Sequence, residues 1–336
     1  MNTEILKIFE KAYEAKPLDK NECIQLLSLD DVSSEAVVMR GIASDIIRKR
    51  SDNTGAIFGQ IGFECYPCEG NCSFCSFAEK YTKMPEIKMD SEAIAQSTRG
   101  FTGGDDLYGL YLMSMAHYDL DSYLKNVETV KQNIVGSTRI YANVGDTSYE
   151  DFCEMKAAGI NGVYHCWRLG EGKDTTFSPE QRKQTVINAK KAGLEFLDAL
   201  EPIGPEHTPE EMAEHILFSR EMETAQCGVM KRISVPGTPF ENSPQISDFT
   251  LSKYMAAMVL AFAGMKKMPW LAVHEPAMQG YMSGANMVAA ETGVNPRDTV
   301  EDTLQNRGLD VSDCRNILKN AGYRYVARGD GSRDTL

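Results

Sequence analysis

The sequence predicts an α/β fold, a (β/α)8 TIM-type barrel with an N-terminal helical extension. Three observations carry this. From Ala56 onward, short apolar stretches of strand character alternate with longer amphipathic ones, and eight strands can be counted. Several of the intervening segments open on a capping signal: Ser148 before Tyr149-Glu150-Asp151, Ser178 before Pro179-Glu180, and Thr208 before Pro209-Glu210-Glu211. The pairs Ala158-Gly159 and Ala192-Gly193 read as the stops that lead into the next strand.

Taken in order, residues 1–50 are expected as an amphipathic helical extension, with Ile5, Leu6, Ile8 and Phe9, then Ala36, Val37, Ile42, Ile46 and Ile47 at helix-like spacing. It would act as a lid or packing element outside the main fold. Residues 51–336 then hold the barrel and a C-terminal helical segment. The expected strands are Ala56–Phe63, Leu107–Ser114, Arg139–Asn143, Gly162–His165, Glu195–Leu200, Gly228–Ser234, Trp270–Val273 and Asn286–Ala290. Helices are expected near 91–100, 120–133, 148–158, 179–192, 209–223, 247–263 and 276–283. Gly103-Gly104-Asp105-Asp106 reads as a turn before the second strand. A doubly wound open sheet is the structural alternative; a barrel would place its chemistry at the C-terminal ends of the strands.

Composition narrows the function. The 336 residues carry 35 Lys plus Arg against 48 Asp plus Glu, a net charge of -13 that repels phosphate backbones and argues against nucleic acid. No apolar run reaches membrane-span length, and Met1-Asn2-Thr3-Glu4 lacks a basic-then-apolar signal pattern, so a cytoplasmic protein without membrane contact is expected. Of nine cysteines, four crowd into residues 65–75 and the rest are scattered singly, which fits metal ligation in a reducing compartment better than disulfides.

Cys68, Cys72 and Cys75 stand at x3 and x2 spacing just after the first strand. Three thiolates on one short loop can ligate three irons of a [4Fe-4S] cluster and leave the fourth open. Structural zinc would need a fourth protein ligand, and no second Cys pair or nearby His follows. Cys65 makes an overlapping CxxC with Cys68 and is read as a non-ligand. An Arg and a Glu, Arg168 and Glu171, follow the fourth strand; if they face inward, a guanidinium can fork onto a carboxylate and a carboxylate can accept from hydroxyls or an amine. Asn143 ends the third strand and could present its amide to the same ligand, and Ser114 ends the second, where Ser114 to Ala116 are small or flexible enough to let a ligand approach. His117, His274, Glu275 and Tyr281 are further polar groups that could orient a substrate or carry a proton. Cys166 reads as buried packing.

Cys-x3-Cys-x2-Cys with Phe74 before its last cysteine resembles the radical S-adenosylmethionine (SAM) enzymes. The segments Pro202 to Glu210 and Val235-Pro236-Gly237-Thr238-Pro239, with Asp174-Thr175 after Arg168, point to their biotin synthase-like branch, which includes biotin synthase, a maturase of iron-only hydrogenase and methylornithine synthase. The resemblance implies a [4Fe-4S] cluster on Cys68, Cys72 and Cys75 and SAM contacts from Phe74, Ser114, Asn143, Arg168 and Glu171. It further implies an external electron donor such as flavodoxin or ferredoxin, whose electron cleaves SAM, and a 5′-deoxyadenosyl radical that takes hydrogen from a small-molecule substrate. Biotin synthase holds a second cluster on cysteines of its second, third and fifth strands; the corresponding segments here carry none. A one-cluster enzyme performing rearrangement or bond cleavage follows, with sulfur insertion as the alternative, and a non-catalytic iron–sulfur scaffold or a zinc-stabilised binding barrel as readings of another class.

Overall fold

The computed structural model describes residues 2–297 and 308–336. Eight parallel strands close into a barrel: β1 (Thr54–Gly62), β2 (Gly109–Met113), β3 (Arg139–Asn143), β4 (Gly162–Tyr164), β5 (Glu195–Leu197, continued by Leu200–Ile203), β6 (Gln226–Lys231), β7 (Trp270–His274) and β8 (Met287–Gly293). Closure runs over seven paired residues between β1 and β8, from Ala56 opposite Met287 to Gly62 opposite Gly293. This pairing excludes the open sheet, in which the first and last strands would lie apart.

Helices α1 (Thr3–Tyr13), α2 (Lys20–Leu27) and α3 (Ser34–Arg50) precede the barrel, and α4 (Ser91–Thr102), α5 (Leu120–Asn133), α6 (Tyr149–Ala157), α7 (Pro179–Lys191), α8 (Pro209–Glu221) and α9 (Asp248–Phe262) surround it. The capping signals act as read: Ser148, Ser178 and Thr208 each accept from the backbone N–H three residues on. Only a short turn, α10 (Met278–Tyr281), links β7 to β8, and α11 (Val311–Asn320) follows the barrel behind an Asp310–Asp313 capping box. Two features were not foreseen. A hairpin, Tyr325–Ala327 with Arg333–Thr335, extends the sheet beside the start of β1. The fifth strand breaks at Asp198, whose carboxylate accepts the neighbouring Ala199 N–H at 2.8 Å and turns inward to His215 and Ser219, a local bond that competes with the ladder.

Helix α9 explains where the first 50 residues go. From Leu251 to Phe262 it is buried on nearly every side except at Tyr254, because the barrel covers one face and α2 and α3 cover the other. Among the described residues no helix is long and apolar enough to cross a membrane. The α2–α3 turn is also tied to α9 by polar contacts: Lys253 donates to Leu29 O at 2.7 Å and pairs with Asp31 at 2.8 Å, while Thr250 donates to Asp31 at 2.6 Å.

Burial opposes ionisation of Asp31, but Lys253 and Thr250 outweigh it and hold its carboxyl below the ordinary value of 3.8. A depressed folded pKa gives stability that is present above 3.8 and lost as pH falls through the folded value. Asp31→Asn should therefore cost about 1 kcal/mol near neutral pH. Urea melts of both proteins at about pH 7 and about pH 3 should show the two midpoints converging in acid; a gap of constant size would mean that the charge is not its source.

Candidate functional site

The run Cys68–Cys75 leaves the C-terminal end of β1 as an irregular loop, framed by a two-stranded pair, Glu64–Cys65 with Ile87–Lys88. Without ladder partners its backbone is satisfied by its own turns and by neighbouring loops. Cys68 N–H donates to Phe77 O at 2.8 Å and Cys75 N–H to Cys72 O at 3.1 Å. Asn71 takes a left-handed φ of 43°, with its side chain accepting from Lys80 N–H and donating to Glu69 O. The loop after β4 grips the run twice, Ser73 N–H to Asp174 O at 2.8 Å and Thr176 N–H to Gly70 O at 3.0 Å. The loop after β6 adds Phe240 N–H to Ser73 O, and the one after β8 adds Pro296 O, which accepts from Ser76 N–H. Gly70 is forced by packing: a Cβ there would lie 2.3 Å from the Phe177 ring and 3.3 Å from Cys68 Sγ.

All three thiols open onto one cavity at the mouth of the barrel, and no other cysteine among the described residues lines it. Burial pushes the Cys72 thiol up to about 12 and raises Cys68 and Cys75 as well, so metal uptake must release protons. Cys75 Sγ accepts from Phe77 N–H at 3.4 Å, a donor suited to a thiolate. Among the described residues no three His, Cys, Asp or Glu side chains converge as they would around one ion. A cubane does not require that, since each thiolate takes its own iron, whereas a closed four-ligand zinc shell does. The donor set fits an iron–sulfur cluster. Cys65 lies off the cavity, buried, with its thiol toward Pro85 O at 3.3 Å.

Phe74, Ser114, Asn143 and Arg168 line the same cavity. Ser114 donates to Glu64 at 2.6 Å, and its N–H donates to Asn143 O at 3.0 Å, which fixes the ends of β2 and β3 together. Arg168 Nε meets Glu201 Oε1 at 3.0 Å, and the other Glu201 oxygen accepts from Tyr164 OH at 3.0 Å. Glu171 departs from the sequence reading, because its carboxylate is enclosed and does not reach the cavity wall. It accepts from Arg168 N–H at 2.9 Å and Thr175 Oγ1 at 2.7 Å, closing the turn after β4. The carboxylate beside Arg168 on the wall is Glu201, in the continuation of the fifth strand, which the sequence reading missed because it ended that strand at Leu200. Arg182 was missed as well. It stacks on Phe177 at 4.0 Å and pairs with Asp146 at 3.2 Å, inside a helix that gave no sign of an inward cation.

The opposite wall carries Lys231, Arg232, His274, Glu291 and Arg297. Lys231 pairs with Asp248 at 2.5 Å and His274 Nε2 with Glu291 at 3.1 Å, while Arg297 bridges His274, Glu291 and Glu275. His117 is exposed beside Cys68 in a separate outer depression. Tyr281 is fully buried under β8 and takes no part in the site.

No family model matches the chain. It is 24% identical over 330 residues to a biotin synthase of Clostridium botulinum (strain Hall), covering 96% of this chain and 99% of that one. A biotin synthase of Aquifex aeolicus is 24% identical over 264 residues, 75% of this chain and 78% of that one. The fold superposes on methylornithine synthase with TM-score 0.78 at 17% identity, covering 96% of this chain and 98% of that one. The FeFe-hydrogenase maturase from Carboxydothermus hydrogenoformans gives 0.77 at 15% identity, covering 96% and 79%. With similarity to biotin synthases along nearly its whole length, a barrel shared with methylornithine synthase and the hydrogenase maturase, and three thiols at its mouth, the chain is similar to the biotin synthase-like radical S-adenosylmethionine enzymes.

Proposed function

We propose that Cys68, Cys72 and Cys75 hold one [4Fe-4S] cluster, that SAM binds beside it against Phe74, Ser114, Asn143 and Arg168, and that the enzyme removes hydrogen from a small substrate to drive rearrangement or bond cleavage. The observation that carries this reading is the set of three thiols, without a fourth cysteine, facing one cavity with an arginine and an amide on its wall. Bound SAM and cluster would supply a strong hydrogen-abstracting radical once an external donor of the flavodoxin or ferredoxin type provides an electron. The chain's own residues position and enclose. Arg168 offers its remaining guanidinium N–H groups to a carboxylate, Asn143 offers its side-chain amide at the end of β3, and Glu171 holds the Arg168 backbone from behind. The cavity walls keep solvent from reactive carbon.

Sulfur insertion is the second reading, favoured by the full-length similarity to proteins named biotin synthases. The iron count separates the two. Anaerobic reconstitution should give about four irons per chain, whereas about six or eight would require a second cluster. Iron should be lost in Cys68→Ala, Cys72→Ala and Cys75→Ala and kept in Cys65→Ala. A reconstituted protein that holds iron but yields no 5′-deoxyadenosine with dithionite and SAM would be a scaffold.

Arg168→Ala should weaken SAM binding by about 10- to 100-fold with iron content unchanged, as expected for loss of a charge-assisted pair. Glu171→Gln should have a smaller effect, because its carboxylate braces the turn and does not face the cavity. Calorimetric titration with SAM checks both, and equal affinities across wild type and Arg168→Ala would remove Arg168 from the site.

A further inference from the structure

Two tyrosines, Tyr111 and Tyr164, stand on the cavity wall with their rings edge to face at 5.6 Å. Their hydroxyls have different partners. Tyr111 OH donates to the neutral amide of Gln226 at 3.0 Å, and Tyr164 OH donates to the carboxylate of Glu201 at 3.0 Å. Glu201 is in turn held by Arg168 at 3.0 Å, on the cysteine side of the cavity. Burial pushes both phenols well above their ordinary value, so each keeps its hydrogen.

A reaction that begins by removing a hydrogen atom from carbon leaves a carbon radical, and where rearrangement or bond cleavage passes that radical on without forming another bond, it is quenched by regaining a hydrogen atom. Building on the radical reading above, we propose that Tyr164 is the hydrogen-atom donor to carbon radicals in this cavity, with Glu201 as the group through which its proton is restored. The Tyr164 O–H bond breaks and a C–H bond forms; electron and proton leave together, and a neutral phenoxyl radical remains. One electron from the external one-electron donor and one proton passed from solvent by Glu201 return the phenol. One hydrogen atom goes to carbon for each electron and proton taken up, so the cycle balances. Tyr111 has the same O–H bond but an amide that cannot relay a proton. The Cys166 thiol, two residues beyond Tyr164, hydrogen-bonds the Tyr164 hydroxyl but is buried and off the cavity wall, so it can reach a carbon radical only through Tyr164.

The test uses the reconstituted enzyme in D2O with SAM and dithionite and no added substrate. A phenol exchanges its hydrogen with solvent and a carbon-bound hydrogen does not, so 5′-deoxyadenosine released by the wild type should carry deuterium at its 5′ carbon. The label should persist in Tyr111→Phe and Cys166→Ala and be lost in Tyr164→Phe, with iron content and SAM affinity unchanged. Deuterium retained in Tyr164→Phe, or lost in Cys166→Ala instead, would overturn the assignment. Should Tyr164→Phe fail to bind iron or SAM, freeze-quenched wild type grown with ring-deuterated tyrosine gives a second measure. A paramagnetic signal whose splitting collapses with the ring label supports the proposal, and an organic radical indifferent to the label overturns it. No 5′-deoxyadenosine from the wild type would overturn the radical reading, and this inference with it.

Discussion

The site depends on holding three thiols at fixed positions on a loop that has no ladder of its own. Peptide groups left unpaired in that loop would each cost desolvation energy, so the loop must borrow partners. It borrows them from the loops after β4, β6 and β8, through Asp174, Thr176, Phe240 and Pro296. These loops meet only because β1 and β8 pair and bring the first and last strands side by side. Closure of the barrel is thus a precondition for the cysteine geometry, and the crowding of Gly70 against Phe177 shows how little slack remains.

Electrostatics around the cavity follows from the cost of burying charge. The chain carries a net charge of -13, yet the wall presents Arg168, Arg182, Lys231, Arg232 and Arg297. Each has an acidic partner: Glu201, Asp146, Asp248, Glu206 and Glu275 in turn. A lone buried cation would be prohibitively costly, whereas a paired one is tolerable and becomes geometrically fixed. An anionic ligand group therefore meets a guanidinium already aimed by its carboxylate and shares it. Orientation then comes from the donors that the pairing leaves free.

The sequence made the strands legible because a strand buried on both faces reads as a short apolar run, and because Ser148, Ser178 and Thr208 mark the helix starts. The cysteines were legible because three thiols on one loop carry their own spacing. Arg168 was legible from its place after β4. Glu171, three residues on, was read as its partner at the cavity, but the chain turns there and directs that carboxylate to Thr175 and the Arg168 backbone. Which of two nearby acids faces inward depends on side-chain direction in a turn, and spacing does not encode it. Glu201 and Arg182 come from distant elements and meet Arg168 and Asp146 only in the closed barrel. The C-terminal hairpin escaped for a related reason: Tyr325–Ala327 is three residues long and is a strand only because β1 offers an edge.

Similarity to the biotin synthases spans nearly the whole chain, and beneath the thiols the barrel holds a layer of aromatic rings. Phe58 contacts Tyr108, Tyr111 and Tyr141 with ring centroids 5.2 to 5.7 Å apart, and Tyr108 meets Trp270 at 5.2 Å. These rings fill the barrel below the cavity as the packed layers of such a barrel require, so the cavity has a floor. A floor limits what can enter from the mouth to molecules short enough to lie between it and the cysteine loop. Tyr111, Gln226 and Tyr164 are polar groups on the wall above that floor, whereas Tyr141, one layer down, is closed off by Arg139 and Glu195. The wall above the floor is thus built from side chains of β2, β4 and β6, which take no part in the β1–β8 closure or in the bonds that hold the cysteine loop.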